Sequence, residues 1–110
     1  MTTVLAFDEL ERGGMFEGYL HEDAGVSCIL VDAPPGTGPA LHRHAYAEVF
    51  VVQEGQARFR AGEETLEVSG GHIVVVPGGT PHGFTNCGSG PLRMVNIHAA
   101  GNIVTEWLQG

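Results

Sequence analysis

"HRHAYAEVFVVQEG", residues His42 to Gly55, sets two histidines one residue apart, follows them with a carboxylate, then runs through apolar residues to a glycine. Alternate residues of a strand face the same way, so His42 and His44 project together while Arg43 points to the other side. The bases of the two rings lie about 7 Å apart, which lets both converge on one ion at metal to nitrogen distances of about 2 Å. Glu48 shares their parity, yet on an unbroken strand it would sit about 13 Å beyond His44. The chain must therefore turn within Ala45, Tyr46 and Ala47, although these residues carry only weak turn chemistry. After such a turn Glu48 opens a neighbouring strand and can return its carboxylate to the two rings.

A third histidine comes from "GHIVVVPGGTPHGFTN", residues Gly71 to Asn86. Here an apolar strand ends at Pro77, two glycines permit a tight reversal, and Pro81 stiffens the chain just before His82. His82, Phe84 and Asn86 then share one strand face.

These residues also carry a family resemblance. The stretch from Gly36 to Gly55, "GTGPALHRHAYAEVFVVQEG", resembles the first cupin motif, G-x5-H-x-H-x3,4-E-x6-G, and Gly71 to Asn86 resembles the second, G-x5-P-x-G-x2-H-x3-N. Every defining position of both is filled. The resemblance implies an all-β, single-domain jelly-roll barrel spanning residues 1–110, with a divalent metal near one mouth. Carried over by position, the metal ligands are His42, His44, Glu48 and His82. Gly36, Gly55 and Gly71 mark turns, and Pro77 with Gly79 shapes the loop before His82. His72 departs from the pattern, standing where many cupins have an acidic residue. Three neutral imidazoles and one carboxylate leave a divalent ion net positive, with two open positions in octahedral geometry. One transition metal per chain is implied, and Fe, Mn, Ni, Co, Cu and Zn all suit this donor set.

The bulk properties agree with a small barrel. At 110 residues the chain has room for one modest core. Hydrophobic residues make up 43%, and 17 glycines punctuate short apolar runs, which fits an all-β protein better than a helical or disordered one. The net charge is −8 and every basic residue is an arginine, a surface that repels phosphate backbones and anionic lipid. Neither nucleic acid nor membrane is an expected partner. No apolar run approaches a membrane span, and the N-terminal stretch lacks the basic start and long apolar segment of a secretory signal, so a cytoplasmic location is expected. Cys28 and Cys87 have no CxxC spacing and read as free thiols.

Apolar alternation between turn residues predicts strands at Met15 to His21, Val26 to Asp32, Ala40 to Ala45, Glu48 to Gln53, Gln56 to Ala61, Thr65 to Val68, His72 to Val76, His82 to Asn86 and Leu92 to His98. A different period at the C-terminus predicts a short helix through "IVTEWL", capped by Asn102, with Trp107 and Leu108 covering an open end or a sheet face. Phe50, Val52, Phe59 and Phe84 are expected to line the barrel. Arg58 and Arg60 are expected to pair outside with Glu63, Glu64 or Glu67.

Three residues are candidates for catalysis. Glu48 can remain a ligand or shift to accept a proton, His98 can shuttle protons if it faces inward, and Tyr46 can shape the pocket beside the ligands. His98 has a plainer reading as a hydrogen-bonded histidine at a strand end. "EVFVV" is apolar on both faces, so something must cover the outer one. The N-terminal segment would serve, and sheet-to-sheet cupin dimers favour a homodimer. The expected function is a metal-dependent enzyme of dioxygenase, isomerase or lyase type acting on a small oxygenated organic molecule in the barrel. The alternative is a non-catalytic sensor for a sugar or small acid, which needs no acid or base beside the metal.

Overall fold

A computed structural model describes residues 2–109. Its strands are β1 (Met15–Glu17), β2 (Ser27–Ala33), β3 (His42–Arg43), β4 (Glu48–Glu54), β5 (Gln56–Ala61), β6 (Glu64–Ser69), β7 (His72–Val76), β8 (His82–Asn86), β9 (Leu92–His98) and β10 (Glu106–Trp107). Among the described residues they form two five-stranded antiparallel sheets, ordered β1-β2-β9-β4-β7 and β10-β3-β8-β5-β6. This is the jelly-roll arrangement expected of the chain. Two short 3-10 turns, Phe7–Glu9 and Gly18–Leu20, are the helical elements among the described residues, and no helix is long and apolar enough to cross a membrane.

Period-two alternation sets the two faces of each sheet. Along β4 the buried residues are Glu48, Phe50 and Val52, and along β9 they are Leu92, Met94, Asn96 and His98. From the other sheet Ala57, Phe59, His82, Phe84 and Asn86 face inward. Phe50 and Phe59 meet edge to face across the interior, with ring centroids 5.0 Å apart. Burying each such ring stabilises the fold by roughly 1.5–3 kcal/mol. Apolar side chains therefore fill one end of the interior, while four histidines and Glu48 occupy the other, with Asn96 at the level of Phe50.

The outer face of the first sheet is also apolar. Val49 lies between Val75 and Ile97 in register, and Val51 lies between Ile73 and Val95. Ile73 and Val75 are largely exposed. Leu5, Phe7 and Leu10 gather with Phe16, Cys28 and Leu30 at the opposite edge of that sheet, so the N-terminal segment covers the β1-β2 side and leaves the β7 side bare. Arg58 pairs with Glu67 at 2.9 Å across the β5-β6 hairpin, as expected, and both cysteines are free thiols.

The expected C-terminal helix does not form. Residues around Ile103 to Thr105 run extended, and Glu106 and Trp107 pair with Arg43 and His42 as β10. Ile103, Val104 and Thr105 form a β-branched run that disfavours a helix. The edge of β3 supplies hydrogen-bond partners, and Arg43 holds Glu106 at 2.8 Å. Two predicted strands are also shorter than expected. Only Met15–Glu17 of the first is extended before the 3-10 turn at Gly18–Leu20, and only His42 and Arg43 of the third remain in a ladder.

Candidate functional site

Two cross-strand pairs face each other at one end of the barrel. In one sheet His42 is the register partner of His82, and in the other Glu48 is the register partner of His98. His44 sits between them at the corner where the chain leaves β3 for β4. The backbone bends at Ala45 and Tyr46, the reversal that the spacing of His44 and Glu48 demands.

The corner is held by the loop before β8. Gly79, at φ +81°, donates its N–H to the His44 carbonyl at 2.7 Å, and the corresponding conformation is strained for any residue with a Cβ. Gly78 packs so close to the corner that a Cβ there would come within 2.5 Å of the Ala45 carbonyl oxygen. The second motif thus positions the first as well as supplying its own histidine.

His42, His44, Glu48 and His82 are all buried, and each presents one ligand atom within 4.8 Å of the others. The orientation of the rings is fixed from behind. His42 Nδ1 donates to the Ala40 carbonyl at 2.7 Å, His44 Nδ1 to the Val104 carbonyl at 2.8 Å, and His82 Nδ1 to the Thr80 carbonyl at 2.9 Å. A proton held on Nδ1 leaves the Nε2 lone pair free, the tautomer a metal requires. Two of these contacts are local, two residues back along the chain. The third comes from the C-terminal segment, sixty residues away in sequence.

Glu48 lies among the inward-facing Nε2 atoms, and His82 Nε2 donates to it. Its Oε1 is 3.0 Å from His82 Nε2 and 3.2 Å from His44 Nε2, and its Oε2 is 3.3 Å from His98 Nε2. The His44 and His98 nitrogens are buried without a partner in hydrogen-bonding geometry, so these approaches are close but off-axis. Burial opposes the charge on Glu48, but its contacts with His44, His82 and His98 outweigh that and hold the carboxyl well below its ordinary range. Burial pulls His42 down, only partly offset by its bond to the Ala40 carbonyl. Burial acts on His44 in the same sense, yet the Glu48 contact and the Val104 carbonyl together raise it. The donor set therefore fits a divalent cation: three imidazoles and one ionised carboxylate converge, and the buried Nε2 of His44 has no hydrogen-bond partner.

His98 faces inward and is fully buried at the end of β9, where it is hydrogen-bonded rather than solvated. Its Nδ1 is 2.8 Å from the Tyr46 hydroxyl. That hydroxyl accepts the Val104 N–H at 3.2 Å, leaving its own proton for His98. Burial pushes the Tyr46 phenol up, which keeps it protonated. His21 and His72 lie elsewhere: His21 stacks on Phe16, and His72 donates outside the barrel to the Ser69 carbonyl.

The site opens into a cavity of about 580 Å³. Its walls include Ile29, Val31, Phe50, Phe84 and Asn96, and its mouth includes Glu11, Arg12, Glu17 and Trp107. Trp107 packs on His42 with ring centroids 5.0 Å apart, so it covers an open end as expected, from a strand rather than a helix. Sequence reasoning passed over Asn96 and the Val104 carbonyl. Parity with His98 on β9 pointed to the first; a backbone carbonyl leaves no residue signature.

Comparison with known proteins agrees with this geometry. Residues 29–98 match the family described as "Cupin domain". An uncharacterized protein of Streptomyces coelicolor is 36% identical over 83 residues, covering 70% of this chain and 77% of that one. Among solved structures, an uncharacterized double-stranded β-helix protein of Klebsiella pneumoniae superposes with a TM-score of 0.74 at 23% identity, covering 97% of this chain and 92% of that one. An oxalate oxidase in complex with the substrate analogue glycolate superposes with a TM-score of 0.76 at 21% identity, covering 86% of this chain and 53% of that one.

Proposed function

The chain belongs to the cupin family, and on that footing we propose that it binds one divalent transition metal through His42, His44, Glu48 and His82 and acts as a metal-dependent enzyme on a small oxygenated organic molecule. The observation that carries this reading is the backbone locking of three histidine rings through Nδ1, which turns three Nε2 atoms and one carboxylate toward a common point. Such preorganisation is costly unless something occupies that point, because buried nitrogens without partners are otherwise destabilising.

When bound, the metal would supply a Lewis acid that polarises a substrate oxygen for isomerase or lyase chemistry, and a redox-active one would serve the dioxygenase branch. Fe, Mn, Ni, Co, Cu and Zn all fit the donors. Glu48 keeps its charge and anchors the centre. His98 holds a proton on Nε2 beside Glu48 Oε2, while its Nδ1 accepts from Tyr46. This pair can pass a proton to or from a substrate atom lying over the site, the role of a general acid or base. A non-catalytic sensor has no use for such a pair, and its presence favours the enzyme.

The bare apolar strip of Val49, Val51, Ile73 and Val75 supports a homodimer formed sheet against sheet. Two free thiols and an acidic surface suit a cytoplasmic protein. Turnover separates enzyme from sensor. Protein loaded in turn with each metal is incubated with small diols, keto acids and phenols, with oxygen uptake and product formation followed. The proposal expects at least one substrate to be consumed, with consumption lost in His98→Asn. Saturable binding without consumption of any compound would instead establish the sensor.

A further inference from the structure

Asn96 and Asn86 are buried in the same barrel and treated very differently. Asn86 is fully partnered: its Nδ2 donates to the carbonyls of Ala33 and Gly90, both at 2.8 Å, and its Oδ1 accepts the Gly88 N–H at 2.9 Å. Asn96 is 4% exposed, yet its Oδ1 has no partner. It stands on the inner face of β9, in register with Ile29 on one side and Phe50 on the other, and borders the cavity. A Leu or Met would pack against those neighbours without stranding an acceptor. An amide left unsatisfied by the protein on the wall of a cavity is a group placed for a ligand.

The cavity also constrains the rest of that ligand. Asn96 lies two residues from His98 along β9, about 7 Å from the level of the proposed metal. Ile29, Val31, Phe50 and Phe84 wall the space between. With three neutral histidines and one carboxylate, a divalent ion keeps a single positive charge, which one anionic group neutralises. A second carboxylate would have to desolvate against Phe50 and Phe84 without a cation to meet it. Glu11 and Glu17 outnumber Arg12 at the mouth and oppose a dianion further.

Given the metal-binding reading above, we propose that Asn96 is the specificity-determining residue of the cavity, its amide sharing a hydrogen bond with a ligand hydroxyl. The ligand is a monoanionic or neutral chelator, with two oxygens for the metal at one end, an apolar body about the size of one ring, and a hydroxyl at the far end.

Zinc-loaded protein is titrated calorimetrically with mandelate and 4-hydroxymandelate, a pair that differs only in the distal hydroxyl, and with 4-carboxymandelate, which puts a second carboxylate at the far end. Zinc content is measured first in wild type, Asn96→Leu and Asn96→Ala. The expected result is that 4-hydroxymandelate binds wild type about tenfold tighter than mandelate, the value of one good hydrogen bond. In both variants the two compounds should bind alike, with zinc content unchanged and mandelate affinity retained. 4-Carboxymandelate should bind wild type more weakly than mandelate. A wild type that holds one zinc per chain but does not prefer the hydroxyl, or binds neither aromatic compound, overturns the assignment while leaving the metal reading intact. A preference that survives in both variants, or tighter binding of 4-carboxymandelate than of mandelate, overturns it equally. A wild type that takes up no zinc overturns the metal reading and this one with it.

Discussion

Glu48 and His98 stand directly opposite each other on β4 and β9, with Glu48 Oε2 3.3 Å from His98 Nε2 and the far side of the imidazole 2.8 Å from the Tyr46 hydroxyl. The carboxylate therefore has two neighbourhoods. Oε1 faces the proposed ligand nitrogens, and Oε2 faces a histidine that none of the four-ligand set requires.

Removing His98 should therefore separate binding from chemistry. His98→Asn is expected to keep one metal per chain and to lower turnover by roughly 10²- to 10⁴-fold, the usual contribution of a positioned acid or base. Tyr46→Phe should keep the metal too and shift the pH profile of turnover by removing the donor to His98 Nδ1. Metal analysis alongside steady-state kinetics checks both. Loss of metal in His98→Asn would show His98 to be a ligand instead.

The depressed Glu48 carboxyl fixes the sign of an acid effect in the metal-free protein. A group whose folded value lies below its unfolded one stabilises the fold fully above the unfolded value, here 4.5, and loses that contribution as pH falls toward the folded value. Glu48→Gln removes the charge that the three histidine contacts favour. Below about pH 5 the gap in Tm between wild type and Glu48→Gln should narrow steadily as the carboxylate takes up its proton. Thermal melts from pH 5 downward test this; a gap that widens below pH 5 would contradict it.

Gly78 is predicted to be intolerant of a methyl group. Gly78→Ala drives a Cβ to within 2.5 Å of the Ala45 carbonyl oxygen, and backbone must yield. The expected cost is about 1–3 kcal/mol of stability. Metal affinity should fall as well, because the displaced corner carries His44. Chemical denaturation and a competitive metal titration report the two effects separately. Unchanged metal affinity with reduced stability would show that the corner shifts without moving His44.

Much of this was readable from the residues. Gln56–Ala61, His72–Val76, His82–Asn86 and Leu92–His98 form the strands expected, because each is bounded by turn residues and its pattern is not contested by another period. The turn between His44 and Glu48 followed from reach alone. The C-terminal segment was misread because Ile103 with Trp107 and Val104 with Leu108 repeat at helical spacing, while the pairing that makes them extended lies with β3, sixty residues earlier. Trp107 lines the mouth and Val104 secures His44 through its carbonyl, so the misread segment is also the one that completes the site. The unpaired amide of Asn96 could be seen only once its neighbours were placed.

The most direct test is elemental analysis of the chain purified without added metal, beside a His42→Ala and His82→Ala double variant prepared in the same way. The account predicts close to one equivalent of a single transition metal in the wild type and almost none in the variant, with both folded by circular dichroism. Equal metal in the two proteins would contradict it.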